Sequence, residues 1–157
     1  MKKKYSWIIG ILILFLLIFF LIPKSSSFEE IDAFEGEVNI YKTTTCGCCL
    51  IYYQYFNSKT KLKVNEINVQ DLDSIRNQYG VPSGLQSCHT TIIGDYFVEG
   101  HIPLEAIEKL LKENPDIKGI AMPGMPSGSP GMPGQKYGDF IIYAVNHEGN
   151  YSEFMRI

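Results

Sequence analysis

The chain has 157 residues, 17 acidic and 14 basic, with a net charge of −3 at neutral pH. All 17 acidic residues but only ten of the basic ones fall from Phe28 onward, so that part carries about −7. Phosphate backbones are bound by basic patches, which excludes nucleic acid as a partner.

Lys2, Lys3 and Lys4 open the chain, and Trp7–Ile22 follows as 16 residues of Ile, Leu, Phe, Trp and one Gly. Tyr5, Ser6 and Pro23 extend the run to 19. A spanning helix needs about 20 apolar residues, so the run is just long enough. The lysines predict a cytoplasmic N-terminus with the rest of the chain outside. A cleaved signal peptide is the rival reading, since Ser25–Ser27 offers small residues. The apolar run exceeds a signal core, which favours an uncleaved anchor. Residues 1–27 are therefore expected to be membrane anchor or signal, and 28–157 one domain. The domain is secreted or periplasmic if the segment is cleaved.

Phe28–Gly36 is acidic and short, a tether or a turn of peripheral helix. Val38–Tyr41 alternates apolar and polar residues and predicts a strand. Thr43–Thr45 leads into Cys46-Gly47-Cys48-Cys49, which holds three of the four cysteines. Leu50–Phe56 predicts a helix that breaks at Asn57-Ser58. The thiols then sit at a strand-to-helix junction, where the helix dipole and free N–H groups favour a thiolate. Leu62–Val69 predicts a second strand, and Asp71 starts a helix that ends at Gly80. Leu85–Ile93 ends in β-branched residues and predicts a buried strand. Gly94-Asp95 is a hairpin turn and Tyr96–His101 the partner strand. Pro103 opens a helix with Ile107, Leu110 and Leu111 on one face, closed by Asn114-Pro115. Residues 120–134 are rich in Pro, Gly and Met, which forbids regular structure through most of the segment. Phe140–Val145 and Tyr151–Ile157 predict a C-terminal hairpin.

The order is βαβα, a β-hairpin, then α. This predicts an α/β fold of thioredoxin-like type: a mixed sheet flanked by helices, with an added C-terminal β-hairpin and an N-terminal transmembrane helix. In that arrangement the loop entering the third strand faces the first helix N-terminus. Cys88-His89 would then face Cys46–Cys49, although some 40 residues separate them. His89 would occupy the place where thioredoxins carry a cis-proline.

Cys46-x-x-Cys49 fits a redox pair, because residues three apart share a helix face. Cys46 would be the nucleophile and Cys49 the resolving thiol. On a regular helix Cys48 lies about 160° from Cys46, so one ion cannot collect all three sulfurs. Either the first turn opens or the sulfurs share a multinuclear cluster. Zinc fits three Cys and a His. Cu(I) fits better, because soft thiolates and thioethers occur together. His101 ends a strand, where it would be exposed or would cap the following helix. His147 sits in a polar turn and faces solvent. Met122, Met125 and Met132 are odd for a linker and sensible for an irregular lid that presents thioethers to a metal. Tyr52, Tyr53 and Tyr55 pack the first helix on the sheet.

Cys46-Gly47-Cys48-Cys49, Gly80-Val81-Pro82, Ser87-Cys88-His89-Thr90, Val98–Pro103 and Pro123–Met132 resemble the CopG copper-resistance family. The likeness runs in order from about Asn39 to Phe154. It implies an extracytoplasmic thioredoxin-like protein that handles copper and cycles it between Cu(I) and Cu(II). Carried over, it implicates Cys46, Cys48, Cys49 and Cys88. His89, His101, Met122, Met125 and Met132 are lesser candidates. Copper ions and other copper-handling proteins are the partners the likeness implies, while the membrane is expected as a partner through the N-terminal helix, where many relatives carry a cleaved signal. The stretch Tyr52-Tyr53-Gln54-Tyr55 departs from the Trp and His that the family often carries there, and Pro133 replaces a frequent Glu. A thiol–disulfide oxidoreductase and a passive copper metallochaperone are the competing functions.

Overall fold

Val38–Lys42 (β1) alternates buried and half-buried residues, with Val38 and Ile40 fully buried. That periodicity covers one face of β1 more fully than the other. The computed structural model describes Ile11 and residues 28–157. Apart from Ile11, the predicted anchor lies outside the described residues. Among those residues, no helix is long and apolar enough to cross a membrane.

Glu29–Ala33 (α1) precedes β1 and buries Ile31. It is more than a tether, because it packs on the later helix Leu104–Glu113. Glu108 of that helix accepts the backbone N–H groups of Glu30 and Ile31 at 2.9 and 3.0 Å. Gly47–Lys59 (α2) follows β1. The expected break at Asn57-Ser58 does not occur. Ser58 Oγ donates to the Tyr55 carbonyl and Thr60 Oγ1 to the Phe56 carbonyl, so the last turn is closed by its own hydroxyls. Val64–Asn68 (β2) is parallel to β1. Leu72–Tyr79 (α3) is capped by Asp71, which accepts from Ser74 N–H at 3.1 Å.

His89–Ile93 (β3) runs antiparallel to β1, pairing Lys42 with His89 and Val38 with Ile93. The strand expected from Leu85 is shorter, since Ser83–Leu85 forms a 3₁₀ turn. Tyr96–Glu99 (β4) completes the hairpin and stops two residues before His101. Leu104–Glu113 (α4) leads to Gly119–Ala121 (β5), a strand that the proline-and-glycine reading of 120–134 missed. β5 lies parallel to β4 and links it to Ile141–Val145 (β6) and Tyr151–Arg156 (β7). The mixed seven-stranded sheet has the order β2-β1-β3-β4-β5-β6-β7, so the C-terminal hairpin extends it as expected.

Two apolar clusters cover the faces. Ile31, Tyr52, Phe56, Leu104, Ile107 and Leu110 join Ile40 and Val98 on one side. Val81, Leu85, Ile92, Phe97 and Val145 pack on the other. Lys42 and His89 mark one end of the β1–β3 ladder, and the cysteine turn follows at that end.

Candidate metal centre

Cys46 is the N-cap of α2, with extended dihedrals (φ −80°, ψ 93°) rather than helical ones. The first turn is therefore open, and this relieves the angular conflict expected of three helical cysteines. Cys46 and Cys49 form a disulfide with a Cα separation of 5.4 Å. Cys48 Sγ lies 3.5 Å from Cys46 Sγ. Cys48 and Cys88 are free thiols, 3.9 Å apart at sulfur. Cys49 Sγ is 3.5 Å from the Cys88 carbonyl oxygen. Topology thus joins all four cysteines, and their sulfurs lie within 4.8 Å of one another.

Cys88 also belongs to a second donor group with His89 and His101. Its sulfur lies 3.5 Å from His89 Nδ1 and 2.8 Å from His101 Nε2. His101 Nδ1 is 2.6 Å from the Pro130 carbonyl, which can only accept. That fixes the proton on Nδ1 and turns a bare Nε2 toward the Cys88 thiol. His101 is fully buried, not exposed or helix-capping as its sequence position implied. Gly100 makes this possible. Its φ of +88° turns the chain, and a Cβ there would lie 2.7 Å from the Met122 carbonyl oxygen.

Burial pushes the Cys88 thiol up to about 12, with the neighbouring Cys48 adding to it, so Cys88 stays protonated. Burial, then His101 and Arg76, hold His89 well below the ordinary histidine range. Burial also lowers His101, against the Pro130 hydrogen bond. Both rings are neutral at pH 7 and present lone pairs. His89 Nε2 is buried without a hydrogen-bond partner. The Tyr52 ring packs on both imidazoles, 4.4 Å from His89 and 5.5 Å from His101 between centroids. Tyr52 thus shapes the site as well as packing α2 on the sheet.

The methionine segment does fold over the cysteine helix, but through glycine. Gly131 has φ +81°, and a Cβ there would meet Tyr52 N at 2.8 Å and the Cys48 carbonyl oxygen at 2.9 Å. Met122 is buried in the core with Phe140 and Ile142. Met125 is exposed. It follows Gly124, whose carbonyl accepts from Ser87 Oγ next to Cys88. Met132 N–H donates to Ser129 within the segment. His147 is surface-exposed and sits 2.9 Å from Asp116, as a polar turn implies.

Arg76 and Glu99 carry the part of the site that sequence reasoning missed. Both are buried and paired, Arg76 Nε to Glu99 Oε1 at 3.1 Å. The signal was present: Glu99 is two residues after Phe97 and so shares its core-facing side of β4. Burial raises the Glu99 carboxyl, against donation from Thr90, Ser87 and Arg76.

A family model described as "Protein of unknown function, DUF411" matches residues 85–132, which span Cys88, both inward histidines and the methionine segment. No curated protein matches the chain. Two solved structures do, titled "Copper resistance protein copG", Form 2 and Form 1. Form 2 is 33% identical with a TM-score of 0.71, covering 77% of this chain and 97% of that one. Form 1 is 32% identical with a TM-score of 0.70, covering 77% and 96%. Identity at this level, across nearly the whole length of those proteins, shows that the chain belongs to the CopG family of copper resistance proteins.

Proposed function

We propose that the chain binds copper as Cu(I), outside the cytoplasm, in copper handling or resistance. The carrying observation is Cys88 Sγ, the shared corner of the four-cysteine group and the Cys88–His89–His101 group. Deprotonated, Cys88 Sγ would be a donor common to both groups, so the site would hold more than one Cu(I). Cys48, Cys88 and His101 supply donors in the disulfide form, and reduction adds Cys46 and Cys49. The donor set fits: soft sulfur, two neutral imidazoles, and a buried His89 Nε2 left without a hydrogen-bond partner. Met125 is the thioether candidate, being exposed beside the residue bonded to Ser87. The titles of the two similar structures support copper as the metal.

The reading extends to redox cycling. A reduced Cys46–Cys49 pair gives one electron to each of two Cu(II) ions; the S–S bond closes and two protons leave. The strand and helix order around the cysteine turn supports a thioredoxin-like domain for this chemistry. One observation favours a thiol–disulfide oxidoreductase instead: Cys46 borders an open cleft with Thr43, Asp71 and Ser87, while Cys49 is fully buried. That is the layout of an attacking and a resolving thiol. A passive metallochaperone would bind Cu(I) without electron turnover.

The test is metal competition on the full chain, reduced and handled anaerobically. Cu(I), at more than one ion per chain, is expected to displace Zn²⁺ at equal free concentration. Zinc winning that competition rejects the reading. An oxidoreductase would still reduce a model disulfide after Cys48→Ala or Cys88→Ala, and its copper binding would not depend on either thiol.

A further inference from the structure

Two inward-facing charges, Arg76 and Glu99, take no part in the donor cluster. A buried ion pair stabilises a fold little compared with apolar residues of the same volume, so stability alone is a poor account of it. Their contacts converge on one residue. Glu99 Oε1 accepts the Ser87 N–H at 2.7 Å, and Arg76 Nη2 donates to the Ser87 carbonyl. Both polar backbone groups of Ser87 are taken, one by each partner. Glu99 Oε2 accepts from Thr90 Oγ1, so the same carboxylate grips the chain on both sides of Cys88-His89. Arg76 Nη1 is tied to Asp73 at 2.9 Å, which anchors the guanidinium to α3.

We infer that Arg76 and Glu99 are positioning residues for the metal site: through Ser87 and Thr90 they hold Cys88 Sγ between Cys48 Sγ and His101 Nε2. The inference rests on the copper-binding reading above. Cys88 needs such a clamp because β3 begins only at His89, so no sheet ladder fixes the chain before it. Arginine suits the task where lysine does not. Nε, Nη1 and Nη2 each reach a different acceptor, which requires a rigid fork of donors. Partners behind a metal ligand typically change affinity by roughly 10–100-fold when removed.

The test is a double-mutant cycle on the reduced full chain, with Cu(I) affinity read by competition with a colorimetric chelator. Arg76→Lys is expected to weaken Cu(I) by about tenfold or more when Cys88 is present, and by less than about twofold in a Cys88→Ala background. Equal losses in both backgrounds overturn the inference, because a general loss of stability would act with or without Cys88. A second measurement needs no metal. Alkylation by iodoacetamide, followed by mass spectrometry, gives the rates at Cys88 and Cys48 in the wild type, Arg76→Lys and Glu99→Gln. Release of the clamp raises the Cys88 rate selectively. A parallel rise at both thiols in both variants, or none, overturns it. If the wild type binds no Cu(I), the functional reading fails, while the alkylation ratio still decides whether the pair positions Cys88.

Discussion

Burial decides the protonation of His89 and His101, and through it the pH response of the metal-free chain. In the folded chain both rings titrate below the ordinary histidine range of about 6.5. Between the folded and unfolded values the unfolded chain therefore binds more protons, and stability rises with pH there. The contribution is fully present above about pH 6.5 and is lost as pH falls toward the folded values. The urea midpoint of the metal-free chain should drop between pH 7.5 and pH 5.5. His101→Gln should shrink that drop, and an unchanged slope in the variant would refute the assignment. At this scale the sequence was legible where spacing carries the meaning. Cys46, Cys48 and Cys49 are neighbours in the chain, and Cys88-His89 follows from strand order. His101 was undervalued because its contact depends on the turn at Gly100 and on a carbonyl 29 residues away. The Arg76–Glu99 pair spans 23 residues and has no local signature beyond a charge on a core-facing position.

The helix and the methionine segment meet at a place where only a glycine fits. Gly131 approaches backbone atoms of Cys48 and Tyr52, which have no rotamer with which to yield. Gly131→Ala should lift the segment, remove the Pro130 acceptor from His101 and weaken Cu(I) binding while the helical signal persists in circular dichroism. Unaltered Cu(I) affinity would show that this docking is irrelevant to the site. Met122 is buried and Met125 exposed, so substituting each in turn tests packing apart from ligation. Met122→Leu exchanges similar volumes in the core, so it should cost less than about 1.5 kcal/mol and leave Cu(I) affinity alone. Met125→Leu should weaken Cu(I) with no loss of stability, and equal affinity in both variants would remove thioethers from the donor set. Composition announced this segment as irregular and unusual, and both properties hold. It hid β5 because Gly119–Ala121 is three residues long and owes its strand to β4 and β6 on either side. The end of α2 was misjudged for a related reason: Asn57-Ser58 reads as a break from composition, but the hydroxyls of Ser58 and Thr60 close the carbonyls of the last turn.

Across the whole molecule, α1 and the cysteine turn lie at opposite ends of the β1–β3 ladder. Glu30 and Phe34 border a cleft with Gly94 and Asp95, at the end where Val38 pairs with Ile93. The cysteines follow Lys42, four residues along β1, which at about 3.3 Å per residue is roughly 13 Å away. If residues 5–22 anchor the chain, the domain hangs from its α1 end and the donor cluster faces away from the bilayer. Its negative charge adds no attraction to anionic headgroups. On the same condition, Lys2–Lys4 would set the sense of insertion and leave the cluster outside the cytoplasm. A membrane-impermeant maleimide added to intact cells, after mild reduction, is expected to label the wild-type chain. Labelling should fall in a Cys48→Ala, Cys88→Ala double variant and vanish when all four cysteines are replaced. Labelling of the wild type only after lysis would place the domain on the cytoplasmic side and overturn the orientation.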